Sequence, residues 1–201
     1  MILGYIPDGL ITTLGFGAKL PGCMSAEFDF SLSGQVDRRV QGVEGLRKPY
    51  RTAVTSVKLS GPTNFTPLIR NVMHRCTNDP VSQHNQNFTV LLILTDGIIT
   101  DFDDTIEAII DASYGSPLEI VIVGVGNAYF SAMDYLDSDE RKLVSRKTGN
   151  VAKHDTVQFI RFKNAMSLES FSAEVLQEVP ERLVDYMMDA NIRPVGAPPV
   201  H

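Results

Sequence analysis

Basic residues are few in this sequence, cysteine is nearly absent and no apolar run is long. Its 201 residues carry 18 Lys plus Arg against 24 Asp plus Glu, a net charge of −6. The chain therefore lacks the positive field that draws proteins to nucleic acid or anionic membrane. Cys23 and Cys76, the two cysteines, cannot build a disulfide framework, and no C-x-x-C pair offers a zinc site; a reducing compartment is expected. The longest apolar stretches, residues 88–94 and 118–125, fall far short of the roughly 20 residues of a membrane span. The first eight residues have no basic segment and are broken by Pro7, so no signal peptide is expected, and Ile2 excludes myristoylation. On that ground the sequons at Asn64 and Asn87 are read as chance.

Catalytic motifs are also missing. Gly15-Phe16-Gly17 and Gly124-Val125-Gly126 both lack the third glycine of a dinucleotide loop. There is no G-x-S-x-G elbow, and His74, His84 and His154 have no nucleophile at motif spacing. The acidic run from Asp134 to Glu140 lacks the glycine of a calcium-binding helix–loop–helix and reads as a solvated loop.

What is present is an α/β pattern. At 43% hydrophobic and 21% charged the chain has the composition of one globular domain, with or without tails. Residues 88–94 and 118–123 are short, β-branched, nearly all-apolar runs, which predicts strands covered on both faces as in a parallel sheet. Between them Ile106, Ile109, Ile110 and Ser113 share a helical face, with Asp104 and Glu107 as a capping pair. Strand, helix, strand at this spacing is a βαβ unit. Upstream, residues 10–16 read as a strand, 28–32 as an edge strand with one wet face, and 43–54 and 65–76 as helices, with Pro49 complicating the first. Residues 78–87 read as a loop and 156–162 as a late strand. Residues 168–188 read as a long helix with a core-facing stripe of Leu168, Phe171, Val175, Leu176, Val179, Leu183, Val184 and Met187, kinked or split at Pro180. The domain is set at residues 1–190, and 191–201 as a flexible Pro-rich tail.

In an open α/β sheet, ligands bind beyond the carboxyl ends of the strands, which points to Thr95-Asp96-Gly97. A carboxylate there can hold a hard divalent cation, or can cap its own turn. Asp101, Asp103 and Asp104 read as helix N-terminal charges. A hydroxyl in Ser60-Gly61-Pro62-Thr63-Asn64, which opens the following helix, can cap that helix or coordinate a metal, and the sequence alone favours the cap.

These residues are recognisable together. Residues 14–21, Ser60-Gly61-Pro62-Thr63-Asn64, residues 91–101 around Thr95-Asp96-Gly97, and Gly124-Val125-Gly126-Asn127 resemble the C-terminal A domain of copines, as do Val157-Gln158-Phe159 and Glu178-Val179-Pro180. The resemblance runs in order from about residue 10 to 188. It implies a von Willebrand factor A-like, Rossmann-type fold of three layers, a mostly parallel sheet flanked by helices with a metal-ion-dependent adhesion site at the strand ends. It implies a non-catalytic module that recruits target proteins, coiled-coil segments among them, while calcium-dependent lipid-binding modules upstream supply membrane attachment in full-length forms. Thr63 matches the family's metal-binding threonine and Asp96 its later aspartate. The family's D-x-[ST]-x-S loop, with the first strand and helix, is expected to lie before Met1, leaving a partial domain whose incomplete site binds Mg²⁺ or Mn²⁺ weakly if at all. Asp29-Phe30-Ser31-Leu32-Ser33 spells the same pattern but alternates like an edge strand, and is set aside. A cytoplasmic location is expected, with plasma-membrane association only through partners or a longer form. No nucleic acid, no small-molecule ligand and no direct membrane binding are expected. The alternatives left open are a fragment of a larger calcium-dependent phospholipid-binding copine and a ubiquitin-ligase-associated or other α/β enzyme domain.

Overall fold

A computed structural model describes residues 6, 8–137, 141–164 and 167–195. Within them the chain forms β1 (Leu10–Thr12), β2 (Leu14–Gly15), β3 (Ala18–Lys19), β4 (Phe30–Ser31), β5 (Arg39–Gln41), α1 (Gly42–Ser56), β6 (Lys58–Leu59) and α2 (Thr66–Asn78). There follow β7 (Thr89–Thr95), α3 (Phe102–Ser113), β8 (Leu118–Gly124), α4 (Ser131–Leu136), β9 (Val157–Arg161), α5 (Leu168–Val175) and α6 (Val179–Asp189). Two compact units result, residues 1–71 with 98–105, and residues 72–97 with 106–201. Helices α2 and α3 each begin in the first and end in the second.

The first unit holds three short antiparallel ribbons, β1 with β5, β2 with β4 and β3 with β6. The single strand expected over residues 10–16 is broken at Thr13, whose amide bonds the Arg38 carbonyl at 2.9 Å before the chain changes partner from β5 to β4. Gly15 faces Phe30 across that pairing, and a Cβ placed on it would stand 2.3 Å from the ring. Of the edge strand expected at 28–32 only Phe30 and Ser31 are regular. Pro49 lies inside α1 without ending it, at the cost of the backbone hydrogen bond its missing N–H would have made to Gly45. Phe65 and Ile69 are fully buried, and Phe16 meets the Phe65 ring edge-on at 5.9 Å.

The second unit is built on the parallel sheet β7-β8-β9. Strand β8 is buried at every position. Val121 and Val123 on one side pack with Ile160, Val175, Phe171, Leu176 and Val179, while Ile120 and Ile122 point to the other face, and α3 buries Ile106, Ile109 and Ile110. A mixed α/β architecture with a parallel three-strand sheet flanked by helices is thus established. The expectation of double coverage fails at β7, where Val90, Leu92 and Leu94 are 38%, 41% and 60% exposed. Register explains it. These residues pair with Glu119, Val121 and Val123 and so share the face on which α5 and α6 pack against β8 and β9, but along β7 that face stays partly bare.

The long C-terminal helix is two helices, split at Leu176–Glu178, so that Pro180 stands in the first turn of α6 rather than in a helix interior. The stripe predicted to face the core does so only in its first half; Leu183 and Val184 are 36% and 50% exposed, and the Leu168 side chain lies outside the described residues. Part of the acidic run expected as a loop is α4, burying Met133 and Leu136, while residues 138–140 are outside the description. Asp104 stands in the first turn of α3, but its expected capping partner Glu107 instead accepts bonds from the Ser145 and Thr148 hydroxyls. Of the tail, residues 196–201 lie outside the described residues. Its start is tied down: Ile192 is buried, and Arg193 exchanges backbone bonds of 2.9 Å with the Gln83 side chain.

Candidate functional site

The strand ends form the candidate site. In the second unit the Thr95 carbonyl accepts the Val125 amide at 2.8 Å, holding the ends of β7 and β8 together. The Thr95 hydroxyl accepts the Gly97 amide at 3.4 Å, starting the turn. Asp96 lies exposed in that turn, and no hydrogen bond or ion pair ties its carboxylate to another described residue. Beyond β8 the chain turns through Gly126 with φ +92°. A cavity of about 160 Å³ opens there, lined by Gly126, Asn127, Ala128, Phe130, Arg161 and Lys163. Arg161 pairs with Asp134, and Lys163 donates to Asn127 at 3.0 Å. Gly124 lets Phe130 close over the strand end, since a Cβ there would meet the ring at 3.0 Å. Around this end Val125, Tyr129 and Phe162 are 40%, 82% and 45% exposed.

Thr63 belongs to the first unit. Its carbonyl accepts the Thr100 amide at 2.9 Å, and the Thr100 hydroxyl donates to Asn64 Oδ1 at 2.6 Å. The residue that secures this loop is Asp101. Its carboxylate accepts the amides of Phe65 at 3.1 Å and Thr66 at 2.8 Å, capping α2 where backbone donors have no partner of their own. The cap expected from a hydroxyl of residues 60–64 is thus supplied by Asp101, and Ser60 donates to the Gly61 carbonyl. Asp103 and Asp104 are first-turn charges of α3, as expected; Asp101, expected among them, serves a different helix. The only linear signal was an aspartate five residues beyond Asp96, and nothing in spacing says that it reaches back 36 residues.

The pattern Asp29-Phe30-Ser31-Leu32-Ser33 lies in the antiparallel β2–β4 ribbon. Arg38 takes the Asp29 carboxylate, and Ser31 and Ser33 bond each other at 2.9 Å. As metal donors the matching residues offer one hydroxyl and one carboxylate, in different units. Among the described residues no group of three or more His, Cys, Asp or Glu is placed to hold a metal ion.

Comparison with known proteins agrees with the resemblance read from the motifs. The family model described as Copine matches residues 1–195. Copine-E of Dictyostelium discoideum is 44% identical over 192 residues, covering 94% of this chain and 32% of that protein. Copine-B of the same organism is 38% identical over 193 residues, covering 96% of this chain and 36% of that protein. The chain thus spans about a third of the length of these relatives. Among the described residues, no helix is long and apolar enough to cross a membrane.

Proposed function

Because this chain belongs to the copine family, we propose that it works as a non-catalytic module that recruits target proteins, coiled-coil segments among them, through an apolar surface that does not depend on a metal. The observation that carries this reading is the uncovered face of β7. Val90, Leu92 and Leu94 recur every second residue with 38–60% exposure, a continuous apolar stripe on an edge strand. Single exposed apolar residues are ordinary, but an aligned set beside a free strand edge marks a contact surface. Leu183, Val184 and Met188 of α6 add exposed apolar side chains to the same unit, and aromatic Tyr129 and Phe162 at the strand ends are of the kind that anchors protein contacts.

In this reading Thr63 and Asp96 are remnants of a metal-ion-dependent adhesion site that holds Mg²⁺ or Mn²⁺ weakly. Calorimetric titration of either ion should give no affinity tighter than millimolar; micromolar binding abolished by Asp96→Ala would overturn it. The recruiting role is tested by presenting immobilised wild-type chain and the Leu92→Asp/Leu94→Asp variant to a panel of two-stranded coiled-coil peptides. Wild type should bind at least one peptide, and the variant at least tenfold more weakly with an unchanged circular dichroism spectrum. Binding by neither, or equal binding by both, refutes it.

A further inference from the structure

At the opposite end of the sheet from Asp96, the second unit holds a cavity of about 180 Å³ that the strand-end site does not use. Glu119, second residue of β8, lines it. This side chain is 0% exposed, and neither of its carboxyl oxygens has a hydrogen-bond partner. Thr156, 7% exposed, lines the same cavity, and its hydroxyl is also unpartnered. Buried polar groups normally find partners, because leaving them without costs free energy that a hydrophobic residue would not. Two adjoining a single cavity are groups waiting for something to fill it.

The surroundings select what that is. Phe88 and Tyr186, ring centroids 6.0 Å apart, supply aromatic wall. Asp185, exposed, stands among the lining residues and adds negative charge. The neighbouring cations are engaged elsewhere: Lys153 and His154 hold Asp189 at 2.7 and 3.1 Å, and Arg182 lies 3.8 Å from Asp155. Where Glu119 is ionised, an anion would meet its carboxylate together with Asp185 and Asp189. We propose that this cavity binds a small primary alkylammonium ligand, whose N–H groups satisfy Glu119 and Thr156 once a side-chain rotation turns these enclosed oxygens into the cavity, while its carbon chain packs against Phe88 and Tyr186. Ammonium groups are attracted to aromatic faces as well as to carboxylates. A cavity of roughly 150 Å³ admits benzene, so a ligand of about that size fits.

The charge balance gives a signature. Burial raises the Glu119 carboxyl to about 8, with Glu178, Asp155 and Asp137 adding to the rise and Arg182 opposing it. At neutral pH the acid is therefore largely protonated, and an arriving cation must displace that proton. From α6, Arg182, Asp185, Tyr186 and Asp189 face the cavity; from the segment before β9, Lys153 and His154 do.

The test titrates n-butylammonium into the whole chain by calorimetry, with n-butanol as the neutral isostere, at pH 7 and 9 and in two buffers of different ionisation enthalpy. At pH 9, where the carboxyl is ionised, the ammonium should bind and the alcohol should bind at least tenfold more weakly. Affinity should fall about tenfold from pH 9 to pH 7, with a proton released on binding at pH 7. Glu119→Gln, which keeps the side chain's shape, should weaken binding at least tenfold and abolish both the pH dependence and the proton release. Equal binding of alcohol and ammonium at pH 9, no saturation at either pH, or a pH dependence that survives in Glu119→Gln would overturn the assignment.

Discussion

Replacing Glu119 with Gln should change how stability depends on pH more than any other single substitution in the described chain. In the folded protein burial holds this carboxyl protonated up to about pH 8; in the unfolded chain it ionises near the ordinary glutamate value. Unfolding therefore releases a proton at every pH between the two, and stability falls as pH rises through that window. Below it both states are protonated and nothing is lost; above it both are ionised and the loss is complete. A difference of about 3.5 pH units corresponds to an upper limit on the order of 5 kcal/mol, against a total of about 5–15 kcal/mol for a domain. Water entering the cavity would solvate the carboxylate and bring the loss below that limit. Urea unfolding followed by far-ultraviolet circular dichroism at pH 5, 6, 7, 8 and 9 reads this directly. Wild type should lose stability relative to Glu119→Gln by up to about 1.4 kcal/mol per pH unit between pH 5 and 8, then run parallel to it. Curves that stay parallel throughout would show that Glu119 ionises in the native state without penalty, and would refute the reasoning.

Three further outcomes are expected. Asp101→Ala leaves the Phe65 and Thr66 amides without their acceptor and should lower the unfolding free energy by about 1–2 kcal/mol, with Asp101→Asn recovering part of it; an unmoved urea midpoint in Asp101→Ala would count against the cap. Gly124→Ala places a methyl 3.0 Å from the Phe130 ring and should cost about 1–3 kcal/mol, visible as a lower melting temperature than wild type. With its net charge of −6, the chain should not co-sediment with phosphatidylserine vesicles in calcium, and calcium-dependent sedimentation would show a lipid site within it.

Much of this molecule was legible in its sequence, because the features concerned are local or periodic. The apolar runs around Leu91 and Val121 with the Ile106–Ile109–Ile110 face between them dictate β7, α3 and β8, since only a parallel crossover buries that pattern. The motifs around Thr63 and Asp96 carry the family, because turn chemistry at strand ends is written in consecutive residues. Other features depend on which surfaces meet, and that is not a property of any one segment. The five consecutive apolar residues from Val90 to Leu94 read the same in a covered strand and a half-bare one, so the exposure of Val90, Leu92 and Leu94 followed only from what packs on that face of the sheet. Asp101 looks like a charge at the start of its own helix until the fold brings the amides of α2 to its carboxylate. Glu119 in an apolar run looks like a tolerated exception. Tertiary packing alone decides that it is enclosed beside Thr156, with its oxygens unpartnered and its proton held, because burial sets the energy of a charge and burial is created by the whole unit.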